Sequence, residues 1–428
     1  MRKLFSLVLI TLLVLTISSC SLSKSKLYLL NWDEYINEEL LERFEEEFDC
    51  KVIMEIAESN EIMYQRIDTN SADYDIAFPS DYMISQMKEN DMLLEIDFDK
   101  IENYDEELFV SSLMELIDRD CADIKPYLVP YFWGSLGIMY NTDLMAEEEF
   151  EERISALREE GLNAWNILFD KELEDQIGMY ATSRDSIACA LMSLGYSVNE
   201  TDPDKLKEAE AKLKSMNYKA WSTDDLKVGV AGGKYTLALV YSGDYIDALY
   251  SIEDPTEANF KMYAPNYVDD TVKDINNVFF DAMVIPKTSK NTELAYEFIN
   301  FMISQEDSED EDSNAFLNAD AVGYCPTLAD VLYLFEDEYA EDYEGVTDQD
   351  AYNPSDITVG EVYQYLGADV YDQYEQIYKR VKSNTDEDEA NTSGYILLGV
   401  VGVIIIFAGS VAAANSYKKQ NKAKKEEQ

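Results

Sequence analysis

Three short segments concentrate side chains able to handle a positive charge. Residues 31–35 (NWDEY), 79–82 (PSDY) and 241–244 (YSGD) each follow an apolar run of strand length, and each is rich in aromatic or acidic groups. Aromatic faces attract cations through the ring quadrupole, and carboxylates pair with them directly. A further acid, Asp281, stands between Phe280 and Ala282, where an unpartnered carboxylate is costly to bury. Local roles compete with binding for the other acids. Asp185 can cap a helix starting at Ser186, Asp244 can be a turn residue beside Gly243, and Glu34 can be a first-turn helix acid. The chain has no histidine, which excludes a His-based triad and any His-ligated zinc or haem site. Carboxylate-pair and lysine chemistry stay open. The calcium-loop order D-x-D-x-D-G is absent, and the acidic run 305–314 reads as a solvated loop.

The elements that must position these groups follow from hydrophobic periodicity. Residues 26–30, 51–58 and 74–78 read as strands. Between them lie an amphipathic helix over 38–48, with Leu40, Leu41, Phe44 and Phe48 on one face, and a second helix capped by Ser59. This β-α-β-α-β order predicts a parallel sheet covered by helices, with ligands bound beyond the carboxyl ends of the strands, where the aromatic and acidic segments lie. Further strands are expected at 137–140, 236–241 and 282–285. Further helices are expected at 186–194, 203–215, 292–303 and 369–381. No period of 20–50 residues repeats, so a solenoid is not expected. At 428 residues and 46% hydrophobic, the chain is long enough for two or three domains.

Charge separates the ends from the body. The net charge is −53, with +2 on the first 19 residues and +3 on the last 11, which leaves −58 between them. Such a field repels nucleic acid and attracts cations. Residues 1–19 read as a secretion signal: Arg2 and Lys3, then an apolar core over 4–17. The sequence Ile17-Ser18-Ser19-Cys20 is similar to the lipobox of bacterial lipoproteins, which implies lipidation at Cys20. Residues 395–414 carry no charge and, as a helix at about 1.5 Å per residue, would span about 30 Å. The polar stretch 383–394 precedes them and KKQNKAKK (418–425) follows. A transmembrane helix over 395–416 is expected, with the acidic body extracytoplasmic and the basic tail 417–428 cytoplasmic. Cys50, Cys121, Cys189 and Cys325 form no CxxC pair, and two disulfides or buried free thiols are both compatible with their spacing.

Several segments in order carry a family resemblance: NWDEYI (31–36), ESNEIMYQRI (58–67), YDIAFPSDY (74–82), PYFWGSLGIMYN (130–141), LGYSVNETDP (194–203), LALVYSGDY (237–245), FFDAMVIPK (279–287) and VGYCPT (322–327). Over about 26–382 the chain resembles the spermidine/putrescine-binding receptors of bacterial polyamine ABC transporters. The resemblance implies an α/β, two-lobed periplasmic-binding-protein type II fold with discontinuous lobes, 26–137 with 282–328 and 138–281 with 329–382. It implies a non-enzymatic receptor that closes on a polyamine and delivers it to an ABC permease and its ATPase, without metal or cofactor.

The pocket implied by the resemblance is Trp32, Glu34, Tyr35, Ser80, Tyr82, Asp185, Tyr241, Asp244, Phe279, Asp281, Tyr324 and Gln364. Thr182 stands where the spermidine type has an aspartate, and Tyr241 where it has a tryptophan, so putrescine or a mixed preference is expected beside spermidine. The chemistry is coherent. Ammonium groups stripped of water need carboxylates, here Asp185, Asp244 and Asp281, while aromatic faces cover the methylenes. Ser80, Gln364 and tyrosine hydroxyls can take the remaining N–H bonds. The competing readings are a same-fold receptor for another cationic solute, an anchored glycoside hydrolase using two acids about 5–10 Å apart, and a surface protein that binds no small molecule.

Overall fold

The structure is a computed structural model that describes residues 24–383 apart from 224, 307–311, 339, 341–342, 344, 348–351 and 357–358. The signal segment, Cys20 and the apolar stretch 395–416 lie outside the described residues. Among the described residues no helix is long and apolar enough to cross a membrane.

The N-terminal prediction holds closely. Strands β1 (Ser25–Asn31), β2 (Cys50–Ile56) and β3 (Ile76–Ala77) form a parallel sheet in the order β2-β1-β3. The helices between them are Glu38–Glu47 and Asn60–Asp68. Asn37 caps the first by accepting from Glu39 N–H at 3.0 Å, and Ser59 caps the second by accepting from Ile62 N–H at 3.2 Å. Phe44 drives the first helix into the core, stacking on Phe48 and meeting Phe298 and Phe301 edge-on. β3 is shorter than the expected 74–78. Asp75 accepts the Tyr28 N–H through its carboxylate at 3.0 Å, and Pro79 has no donor to extend the ladder.

The central strands depart from expectation. β4 (Val129–Asn141) runs for 13 residues where only 137–140 was predicted, and all 13 are buried. A strand buried on both faces shows no polar alternation to read. The next strands are β5 (Ile177–Tyr180), β6 (Ala220–Ser222), β7 (Leu237–Tyr241), β8 (Phe260–Tyr263), β9 (Asn276–Met283), β10 (Cys325–Pro326) and β11 (Gly360–Glu361). The sheet path is β11-β9-β4-β7-β5-β6, with β8 and β10 also paired to β4. β9 begins six residues earlier than the predicted 282–285 and is likewise buried throughout, so Asp281 sits inside a strand rather than before one.

β4 and β9 join two α/β halves. The first half of β4 pairs antiparallel with β9 and β10, and its second half pairs with β7 and β8. Single bridges, Ala77 to Val284 and Ser80 to Asp281, fasten the N-terminal sheet to the end of β9. Cys50, Cys121, Cys189 and Cys325 are free and buried, which decides between the two cysteine readings. Burial pushes the Cys121 and Cys189 thiols up, so they stay protonated and inert.

Candidate functional site

The site is built outward from Asp281. Its side chain is 6% exposed. Oδ2 accepts the Tyr35 hydroxyl at 2.7 Å, and Oδ1 is buried without a hydrogen-bond partner. Burial pushes the carboxyl up to about 6, tempered by the nearby Ser80 and Tyr35 hydroxyls. Ser80 is held in turn, since its Oγ accepts from Asn60 Nδ2 at 2.9 Å and its N–H donates to Asn60 Oδ1 at 3.0 Å. Tyr35 is kept protonated by burial and by the Asp281 charge, so it remains a donor.

The turns after β1 and β3 hold the aromatic wall. Trp32 Nε1 donates to Phe78 O at 2.7 Å and ties the two turns together. The Tyr35 ring meets Tyr324 and Phe132 edge-on at 5.0 and 5.4 Å. Tyr131 donates to Tyr35 O at 2.9 Å and fixes that turn against β4. Tyr82, on the helix Asp81–Glu89, donates to Glu61 Oε1 at 3.1 Å.

A second carboxylate faces this wall from the other half. Asp185 lies in the first turn of the helix Ser183–Ser193, but it is not the cap. Thr182 caps the helix by accepting from Asp185 N–H at 3.1 Å, and also donates to Asp185 Oδ2 at 2.5 Å. Asp185 Oδ1 accepts from Tyr241 at 2.6 Å and from Tyr363 at 3.0 Å. The Tyr241 ring packs edge-on against Phe279 at 4.9 Å, and Phe279 lies 6.4 Å from Tyr324. Tyr363 reaches Tyr82 at 6.3 Å, so the two halves touch through aromatic rings.

A family model for bacterial extracellular solute-binding proteins matches residues 39–347. The chain belongs to that family. It is 28% identical over 361 residues to the spermidine/putrescine-binding periplasmic protein of Salmonella typhimurium, covering 83% of this chain and 91% of that one. It is 29% identical over 286 residues to the putrescine/cadaverine-binding protein of Pseudomonas aeruginosa, covering 65% and 74%. Among solved structures it is similar to a putative spermidine/putrescine ABC transporter protein from Listeria monocytogenes, with 34% identity, TM-score 0.66, and coverage of 84% of this chain and 99% of that one. The two-lobed α/β fold expected from the sequence is the one these structures share.

In this solute-binding protein, nine of the twelve sequence-predicted pocket residues form one connected cluster: Trp32, Tyr35, Ser80, Tyr82, Asp185, Tyr241, Phe279, Asp281 and Tyr324. The other three are placed differently. Glu34 is exposed at φ 51°, ahead of a helix that starts at Glu38, so it is not a first-turn helix acid. Asp244 is in the first turn of the helix Ser242–Tyr250, buried and ion-paired with Lys227 at 3.6 Å. Gln364 is exposed, and its N–H donates to Asn199 Oδ1. It lines a polar cavity of about 380 Å³ with Arg119, Lys273 and Glu361.

Sequence reasoning missed Tyr363, Glu61, Asp81 and Arg184. Tyr363 is buried beside the exposed Gln364, and no period in the segment VYQY marks it, since Val362 next to it is buried as well. Asp81 is 1% exposed, and its Oδ2 accepts from Phe280 N–H at 3.3 Å. Burial first, and Asp281 second among the raising effects, push its carboxyl well up. The Arg184 guanidinium covers the Tyr363 ring at 4.4 Å. Among the described residues no group of three His, Cys, Asp or Glu side chains could hold a metal ion. Buried carboxylates flanked by aromatic faces can instead desolvate and pair an organic cation.

Proposed function

We propose that this protein is the extracytoplasmic receptor for a linear polyamine, which it encloses between its two halves and delivers to an ABC permease with its ATPase partners. The observation that carries this reading is Asp281: a buried carboxylate with one oxygen unpartnered, walled by Tyr35, Tyr324 and Phe279. An ammonium group of the ligand supplies the missing partner, and the rings cover the methylenes of the polyamine chain. The relatives support the choice of ligand, since those at 25–29% identity carry names specifying spermidine, putrescine or cadaverine. The Asp281, Tyr35 and Ser80 group takes one ammonium, and the Asp185, Thr182, Tyr241 and Tyr363 group takes another. Neither needs a metal or cofactor.

The two ends support a membrane-held position. Cys20 follows small residues after an apolar core, which suits lipidation, and the uncharged stretch 395–414 followed by five lysines suits a second anchor with a cytoplasmic tail. Lipidation predicts a mass increase that is lost in Cys20→Ser.

A thermal-shift screen with putrescine, spermidine, spermine, lysine and arginine tests the ligand class. Stabilisation by polyamines without turnover is the expected result. Stabilisation by the amino acids alone would transfer the reading to another cationic solute, and no response to any of them would overturn it.

A further inference from the structure

Three carboxylates in the cleft each accept a tyrosine hydroxyl, and aromatic contacts connect them in series. Asp281 accepts from Tyr35; Tyr35 meets Tyr324 at 5.0 Å; Tyr324 meets Phe279 at 6.4 Å; Phe279 meets Tyr241 at 4.9 Å. Tyr241 and Tyr363 both donate to Asp185. Tyr363 meets Tyr82 at 6.3 Å, and Tyr82 donates to Glu61 Oε1 at 3.1 Å. These contacts link Asp281, Asp185 and Glu61 through aromatic rings, and Asn60, next to Glu61, also holds Ser80, which bridges to Asp281.

Among the described residues none of Glu61, Asp185 and Asp281 has a lysine or arginine within ion-pairing distance. This distinguishes them from Asp244, which lies 3.6 Å from Lys227, itself 2.7 Å from Asp247, and from Glu34, which is exposed on a turn. Asp281 and Glu61 each accept one tyrosine hydroxyl, and Asp185 accepts two and the Thr182 hydroxyl, which leaves each carboxylate acceptor capacity for N–H bonds. Burial, then the charges of Glu61 and Asp185, keep the Tyr82 hydroxyl protonated, so Tyr82 donates and Glu61 accepts. Arg184 covers the Tyr363 ring, donates to Asn199 Oδ1, and its charge also reaches Tyr82.

We propose that Glu61 is a third ammonium-binding carboxylate, which lets the cleft engage all three nitrogens of a linear triamine. The proposal rests on the polyamine reading above and adds a residue that sets ligand length. On this proposal a diamine uses Asp281 and Asp185 and leaves Glu61 unused. A triamine continues past the Tyr363–Tyr82 contact and places its last ammonium at Glu61. Asp281 Oδ1, buried without a partner, is the fixed end from which that length is measured.

Titration calorimetry of the full-length protein and of Glu61→Gln, each with putrescine and with spermidine, tests this. Gln keeps an acceptor for Tyr82, so the helix Asn60–Asp68 and its packing are retained, and an unchanged melting temperature checks this. The expected result is an about tenfold weaker spermidine affinity with putrescine affinity unchanged. Tyr82→Phe should move spermidine affinity in the same direction by a smaller factor. A wild type that binds both amines while Glu61→Gln leaves spermidine unaffected, or weakens both equally, overturns the proposal for Glu61 and leaves the polyamine reading standing. A wild type that binds neither amine overturns both.

Discussion

Asp281 titrates near pH 6 because burial penalises its anion more than two nearby hydroxyls relieve it. The sign of the consequence follows from linkage. The native carboxyl binds a proton more tightly than the unfolded one, whose ordinary value is 3.8. The burial penalty is absent below about pH 4, grows through pH 6 and is complete above it, at a cost of about 3 kcal/mol to the empty protein. An ammonium pairs only with the anion. The ligand-free protein should therefore gain stability on acidification from pH 7 to pH 5, while polyamine affinity falls over the same interval. Melting curves and calorimetry across that range should move in opposite directions. Asp281→Asn should flatten both profiles, raise the melting temperature of the empty protein at neutral pH and weaken polyamine binding at least about tenfold.

At the scale of elements, two helix starts position the site. Thr182 caps the helix Ser183–Ser193 and also holds Asp185 Oδ2, so one side chain serves fold and site together. Thr182→Ala should cost about 1 kcal/mol of stability in urea unfolding. It should also weaken binding, whereas Thr182→Ser should preserve both. The second start is Gly243, in the helix Ser242–Tyr250. A Cβ there would lie 1.9–2.2 Å from three ring atoms of Tyr324. Gly243→Ala should force that ring out of its contacts with Tyr35 and Phe279, at about 1–3 kcal/mol in folding, and reduce ligand affinity. The same substitution at exposed Gly161 meets no atom within 4 Å but sits at φ 77°, so it should cost stability alone.

The whole molecule contributes a field and a closure. A net charge of −53 draws cations toward the cleft over a distance set by ionic strength. The association rate of a polyamine should fall steeply between about 20 mM and about 500 mM salt, with a smaller change in dissociation. Stopped-flow measurement separates the two rates. Closure is marked by contacts between distant segments of the chain. Arg119 donates to Gly360 O at 2.9 Å, Ser112 bonds Ser355 at 2.9 Å, and Tyr82 meets Tyr363. Arg119 and Gly360 also line the polar cavity around Gln364.

The sequence by itself determined the elements whose two faces differ. The helix Glu38–Glu47, its neighbour Asn60–Asp68 and the parallel strands around them were legible because buried and exposed residues alternate with a helical or strand period. The segments rich in aromatic and acidic residues at strand ends were legible for the same reason. Tertiary structure alone decided the extent of β4 and β9, since uniform burial erases the period that marks a strand. It also decided which acids share a site. Asp244 and Asp185 both stand in a first helical turn, yet Lys227 from another element approaches one while Tyr241 and Tyr363 converge on the other. Such long-range pairings depend on where strands cross, which local side-chain chemistry does not encode.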